Sequence, residues 1–540
     1  MAVGLAGLAP FYEGSMLTQV SPDLAAAGAL PRPEVFSEEH SDQTPAELRD
    51  LPNIPPEVLE HREMPRKLLP GRVGSSGPSG PDAVLQEFAF SGASAVQGAG
   101  FEGVNNVNGV LPPDTNGDVG PTHYVQTVNI SFAIWNKTTG SKLYGPANIK
   151  TLWSGFGGAC ETRNDGDPIV LYDKLADRWL IAQFALPRYP VKPFYMCIAV
   201  SKSGDPQGQW WRYSYSFNKM PDYLKFGVWP DGYYMSINQF KSGSGTWGGQ
   251  GVVAFERSRM LLGQSAKAVY FDLFNVDANL GGMLPSHLSG SPPTAGTPNT
   301  FVEIDDNAWG YSPDQLQLWD FRVNWTTPTA STFTRNSTLG TVAFDSNLCG
   351  YARNCIPQKG TTVKVDTLSD RLMYRLNYRT FGTYASLVTA HSVDINGSDR
   401  AGIRWYELRK PTGGSWSINQ QGTYAGPDTD HHWMPSIAIN KNGTMALGYS
   451  VSSGSTFPSI RYTGRLSTDS AGTMGQGEGE LIAGAGSQTH SSGRWGDYAA
   501  MSVDTDDCTF WFTSEYYAAG SSSAGWRTYI GSFKFPDACP

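Results

Sequence analysis

Charge is scarce in this chain. Of its 540 residues, 16% are charged, against roughly a quarter in ordinary soluble domains. What charge there is leans acidic, with 40 Lys and Arg against 49 Asp and Glu. A phosphate polymer needs a basic face, so a nucleic-acid partner is disfavoured. The one basic-leaning segment, "HREMPRKLLPGR" at His61–Arg72, lies in a Pro-rich stretch and reads as solvated linker. Apolar runs are short as well, and none approaches the roughly 18 residues of a membrane helix. The six cysteines contain no Cys-x-x-Cys pair, which argues against a thiolate zinc site or a thioredoxin-like redox pair. GxSxG, P-loop, HExxH and dinucleotide fingerprints are missing from any convincing context. Runs of Ala, Leu, Glu and Lys long enough for extended helices are also mostly absent.

Glycine, proline and aromatics fill the space, at 61 Gly, 36 Pro and a 12% aromatic share. Tight turns use the first two, and pleated, half-buried strands use the third. The expected class is all-β. Residues 1–95 read as a Pro/Ala-rich leader or linker, with "MAVGLAGLAP" either a signal remnant or a plain terminus. From residue 96 to 540 a strand–turn–strand unit recurs. Copies lie at Gly117–Asn129, Gly166–Leu186, Asp222–Phe240, Asp370–Asp394, Trp433–Ser452 and Trp495–Tyr517, with a diverged copy at Phe301–Phe321. "SIAINKNGTMALGYS" shows the pattern plainly: two alternating strands around an Asn/Gly turn. Recurring units that cannot bury both faces alone predict a β-propeller, with seven blades expected and six as the fallback. A pair of two-sheet sandwiches is the rival. Cys349 and Cys355 bracket a turn, Cys508 opens a strand and Cys539 follows the last one. The expected disulfides are therefore 349–355, 508–539 and, by remainder, 160–197, which require an oxidising compartment and hence a secreted protein.

Several strings, "GVLPPDTNGDVGPTHYVQTVN", "NDGDPIVLYDKLADRW", "DRLMYRLNYR", "HWMPSIAINKNGTMALGYSVSS" and "RWGDYAAMSVD", resemble a group of exported bacterial proteins with β-propeller, sialidase-like architecture. The resemblance spans about residues 100–538. It implies secretion and a propeller, and brings no settled activity. The sialidase Asp-box spacing, Ser-x-Asp-x-Gly-x-Thr-Trp, is broken in the nearest strings, "STDSAGTM" and "SGDPQGQWW". Glu515 and Tyr516 sit side by side but should face opposite ways on a strand.

Three clusters carry the candidate chemistry. "DTNGDVG" offers Asp114, Asn116 and Asp118 at alternate positions for Ca2+, although no later bidentate Glu follows at the usual spacing. "DTDHHW" holds Asp430, His431, His432 and Trp433 ahead of a strand, with the histidines as candidate acid/base groups. "HSSGRWGDY" supplies Arg494, Trp495 and Asp497. If Asp114, Asp167, Asp430 and Asp497 occupy equivalent unit positions, they ring one end of a channel beside Trp433 and Trp495. That arrangement would bind an extracellular glycan or other polymer. The alternative is a glycoside hydrolase or polysaccharide lyase using Asp167, His431, His432, Arg494 and Asp497.

Overall fold

The computed structural model describes residues 30–59, 62–63, 69–70, 72, 81–88, 95–536 and 539; "MAVGLAGLAP" and most of "HREMPRKLLPGR" lie outside them. Strands make up 47% and helices 5%, so the chain is all-β. Its sheets follow one another along the chain, and apart from edge strands added from the N-terminal segment and a few short parallel pairs their strands form antiparallel meanders in sequence order. The first strands of the seven successive units are β1 (Asn116–Val119), β2 (Gly166–Asp173), β3 (Lys219–Trp229), β4 (Leu284–Leu288), β5 (Met373–Thr380), β6 (His431–Ile439) and β7 (Ala500–Val503). Each lies against the first strand of the next unit, and β7 lies against β1. Between β4 and β5 the approach is close enough for a short parallel ladder, Ser286–Leu288 against Leu376–Tyr378.

Period-2 alternation explains how one sheet serves two cores. In the second unit Ile169, Leu171, Leu180, Ala182 and Phe184 pack with residues of the third, fourth and fifth units. The alternate residues Val170, Tyr172, Trp179 and Ile181 pack on the other side with Phe132 and Ile134 of the first. Each such side chain, fully buried, stabilises the fold by about 1.5–3 kcal/mol. Turns follow the expected chemistry. Asn440 Oδ1 accepts the N–H groups of Asn442 and Thr444, and Asp173 accepts that of Leu175. Asp173 is also fully buried, paired with Arg257 at 2.6 Å and bonded by the Tyr233 hydroxyl.

The leader contributes strands. Glu34–Ser37 adds to the outer edge of the third unit and His40–Gln43 to that of the second. Leu85–Gln86 pairs with the last strand of the fifth, and Val96–Glu102, just past the leader, is the outermost strand of the seventh. The last sheet is thus completed from the N-terminal side, where Val96–Glu102 pairs with Arg527–Lys534, the strand that precedes Cys539. Disulfides join Cys160–Cys197, Cys349–Cys355 and Cys508–Cys539. No helix among the described residues is long and apolar enough to cross a membrane.

Neighbouring first strands fan apart, which leaves inward N–H groups without a ladder partner, and buried N–H groups must be paired. Side chains of the adjacent unit accept them. Asn116 and Asp118 accept from Val170 and Tyr172, Asp167 from Tyr223, and His287 Nδ1 from Val228. Asn377 accepts from Ile439, Ser436 from Met501, and Asp114 from Asp497. Several donors are left-handed bulge residues near the strand starts: Asp167 (φ 48°), Tyr223 (φ 50°) and Met434 (φ 51°). Asn129 takes the N–H of Asp167 and Ser392 Oγ that of Met434. Gly166 (φ 109°) admits the chain to the Asp167 bulge, where an added Cβ would lie 2.4 Å from the Asn129 side chain.

Candidate functional site

The entry ends of β1, β2, β3 and β7 converge on a polar network. Asp114 precedes β1 by two residues, Asp167 is the second residue of β2, Lys225 lies in β3, and Arg494 and Asp497 precede β7. The Asp497 N–H donates to Asp114 Oδ1 at 3.1 Å, and Asn129 Nδ2 donates to Asp114 Oδ2 at 2.6 Å. Asp167 Oδ2 accepts from the Tyr223 N–H at 3.1 Å and the Tyr498 hydroxyl at 3.0 Å. Arg494 spans Asp366 at 2.8 Å and Asp497 at 3.0 Å. The ammonium of Lys225 lies 3.3 Å from the ring centres of both Tyr223 and Tyr498, and the Arg371 guanidinium covers Tyr223 at 4.5 Å. Asp114, Asp167, Lys225 and Arg494 are buried, whereas the Asp497 side chain is 16% exposed.

Burial and crowding set the charges. Burial, then the Asp222 carboxylate, pushes Asp167 up to about 7 against the pull of Lys225. Burial, with Asp497 and Asp167 nearby, raises Asp114 well above the usual carboxylate range. Burial also raises Glu515, despite the Gly496 N–H it accepts. Lys225 is driven well below its ordinary range by burial, which the surrounding aspartates only partly oppose. Asp167 can therefore hold or exchange a proton near neutrality, and Asp497 lies at the accessible edge of the network.

Other predicted residues lie elsewhere. Asp430, His431 and His432 belong to a second cluster in the sixth unit. His432 Nε2 lies 3.2 Å from Glu478, and Arg461 joins Asp428 at 3.0 Å to Glu478 at 2.9 Å. Asp430 sits 3.9 Å from Arg461. Burial opposes ionisation of Glu478, yet His432, Arg461 and Tyr449 hold it down to about 2. His431 accepts the Ala401 N–H, and burial followed by Arg400 lowers it to about 4, so its imidazole is neutral at pH 7. His432 therefore does not share a site with Asp167 and Arg494. Glu515 and Tyr516 point apart: the first accepts from Gly496, and the second donates to Glu102.

Two expectations are corrected by the surroundings. Trp433 and Trp495 offer no open face to a sugar, because both are buried, with ring centres 5.6 Å apart. Asp114, Asn116 and Asp118 do not form a calcium loop. Residues 116–119 are a strand, the oxygens named above serve N–H donors, and Arg375 holds Asp118 at 3.2 Å. Burial works against the charge of Asp118, but Arg375, His287 and the two N–H bonds keep it below the usual range. Among the described residues, Asp428, His432 and Glu478 have ligand atoms within 4.8 Å of one another; there the Arg461 guanidinium already bridges the two carboxylates.

Sequence reasoning missed Lys225, Tyr223, Tyr498, Asp366 and Glu478. For Tyr223 and Lys225 a signal existed, since "DYLKFGVW" holds the same place in its unit as "GDPIVLYD". Beside the network, a cleft of about 630 Å3 opens between two segments, lined by Arg353, Asn354, Val363, Lys364 and His490–Gly493.

No protein-family model and no curated protein matches the chain. Solved structures show a weak likeness in shape. A protein of unknown function from Dyadobacter fermentans matches at TM-score 0.32 and 12% identity, covering 68% of this chain and 94% of that one. An exo-β-1,3-galactanase from Clostridium thermocellum matches at 0.30 and 11%, covering 80% and 99%. An α-L-arabinanase from Cellvibrio cellulosa matches at 0.28 and 11%, covering 57% and 94%. At these values the likeness assigns no function.

Proposed function

We propose that the chain is a secreted seven-bladed β-propeller that binds an extracellular glycan or similar polymer at the mouth framed by Asp114, Asp167, Arg494 and Asp497. Support for the blade count comes from the seven successive units and from β7 lying against β1. Three disulfides support export, since they persist in oxidising compartments. The observation that carries the site is the convergence of charged residues from four units with one member, Asp497, partly exposed. A carboxylate there accepts sugar hydroxyls, and Arg494 fixes its direction.

One observation favours the hydrolytic alternative on the same residues. Burial pushes the Asp167 carboxyl up to about 7, the range of a general acid near neutrality, and Asp497 supplies a second carboxylate close enough to act on it. Retention of the purified protein on a polysaccharide panel, with reducing ends assayed in parallel, separates the two. Retention without new reducing ends, weakened in Asp497→Asn, supports binding. New reducing ends abolished in both Asp167→Asn and Asp497→Asn make it a hydrolase. No retention and no product from any polymer refutes both.

A further inference from the structure

We propose that the chain cleaves its own Asp167–Pro168 peptide bond, with the Asp167 carboxyl as the attacking group, an activity separate from polymer binding at the mouth. Gly-Asp-Pro occurs twice in the sequence, at Gly166–Pro168 and at Gly204–Pro206, and the structure puts the two copies in opposite surroundings. A residue before proline favours extended backbone, yet Asp167 is left-handed at φ 48°. Such strain persists only where neighbours over-determine it, and it gathers at functional sites. Three hydrogen bonds hold Asp167 there: its N–H donates to Asn129 Oδ1 at 3.0 Å, and its Oδ2 accepts from the Tyr223 N–H and the Tyr498 hydroxyl. The regular ladder lapses between the pairs Gly166–Phe184 and Ile169–Ala182, and Pro168 has no N–H with which to rejoin it. At the second copy the Asp205 side chain is 37% exposed, paired with Arg49, and accepts the Gln207 N–H. Its carboxylate is committed elsewhere.

The chemistry closes with water as the sole co-reactant. Tyr223 and Tyr498 both donate to Oδ2, which leaves the carboxyl proton to Oδ1. Attack of Oδ1 on the Asp167 carbonyl carbon forms a C–O bond and closes a five-membered ring. The carboxyl proton passes to the Pro168 nitrogen, and the C–N bond breaks with its electron pair going to that nitrogen. A cyclic anhydride remains on Asp167, and one water opens it to two carboxyl groups. The sum is hydrolysis of one peptide bond, with Pro168 as a new N-terminus. The two parts stay joined. Cys160–Cys197 spans the cut, and Glu34–Ser37, His40–Gln43 and Val96–Glu102 on one side of it pair with strands on the other.

The test incubates the purified full-length protein with protease inhibitors at pH 5.5 and reads it by reducing and non-reducing gels, intact mass and N-terminal sequencing. The expected products are a fragment ending at Asp167 and one beginning at Pro168, which separate only after reduction and form at a rate independent of protein concentration. Backbone strain should make that bond break at least about tenfold faster than Asp205–Pro206 in the same molecules, whereas in guanidinium the two should break at similar rates. Asp222 and Lys225 of the third unit, Asp497 and Tyr498 before the seventh and Asp114 before the first face the carboxyl, and with burial they set its proton affinity. Raising the pH to 8.5 should slow cleavage about thirtyfold, as the protonated fraction of a carboxyl at about 7 falls. Asp167→Asn, which has no carboxyl proton, should stay intact at that bond. An unbroken Asp167–Pro168 bond after a week, equal cleavage at both Gly-Asp-Pro copies in the folded protein, or selectivity that survives guanidinium overturns the proposal. So does a rate that ignores pH, one that rises with protein concentration, or wild-type cleavage of Asp167→Asn.

Discussion

Asp167 gives the sharpest test of the physical reasoning, because it is both a junction pin and a titrating group. Replacing it with alanine orphans the buried Tyr223 N–H and Tyr498 hydroxyl, at about 1–3 kcal/mol each. It also puts a Cβ-bearing residue at φ 48° without the local hydrogen bonding that lets Asp and Asn tolerate that region, costing about 1–2 kcal/mol. The expected loss is about 3–8 kcal/mol. Asparagine keeps an acceptor oxygen and suits the left-handed backbone, so Asp167→Asn should lose far less. The pH dependence has a definite sign. A carboxyl raised from 3.8 to about 7 binds its proton more tightly in the folded state, so stability falls as pH rises from about 4 to about 7. At 1.36 kcal/mol per unit, the penalty at pH 8 is on the order of 4 kcal/mol, the attraction of Lys225 already included. Urea unfolding at pH 4, 6 and 8 should show Asp167→Asn gaining on the wild type as pH rises. A pH-independent difference, or equal losses in the asparagine and alanine variants, would refute the reasoning.

The second cluster titrates in the opposite direction. With Glu478 held at about 2 against an ordinary 4.5, its contribution is complete above pH 4.5 and disappears as pH falls towards 2. Glu478→Gln should therefore cost up to about 3 kcal/mol at pH 7 and almost nothing at pH 2, read from denaturation midpoints. Replacing both Cys508 and Cys539 by Ser opens a loop of 31 residues and should cost about 4 kcal/mol, whereas the same change at Cys349 and Cys355, spaced by 6, should cost about 2 kcal/mol. Trp495→Ala should destabilise by about 3–5 kcal/mol, and any glycan affinity it alters should scale with that unfolding. A stable Trp495→Ala that loses binding outright would restore its ring to the ligand surface.

Local signals were legible because they are complete within a few residues. "NKNG" carries its own turn hydrogen bonds, and the alternation around Ile169 and Trp179 reports burial on both sheet faces directly. Two cysteine pairs followed from their positions at a turn and at strand ends, and the third, Cys160–Cys197, by remainder. The fourth unit read as diverged because "FVEIDDNAWGYSPDQLQLWDF" covers its second and third strands, while β4 is short and preceded by glycine. What escaped the sequence depends on partners in other units. Asn116 and Asp118 look like ligands until Val170 and Tyr172, whose N–H groups they accept, are placed beside them. A histidine pair next to aspartates looked catalytic, but Glu478 and Arg461 arrive from later strands of the same sheet. The leader's strands were illegible for a related reason: each is only two to four residues long and gains its pairing from an edge that already exists.

The account stands most directly on where a ligand sits. A crystal structure with an oligosaccharide prepared from any polymer the protein retains should place a sugar hydroxyl within hydrogen-bond reach of the Asp497 carboxylate. An oligosaccharide bound on an outer strand, with Asp497 still facing only Arg494, would contradict it.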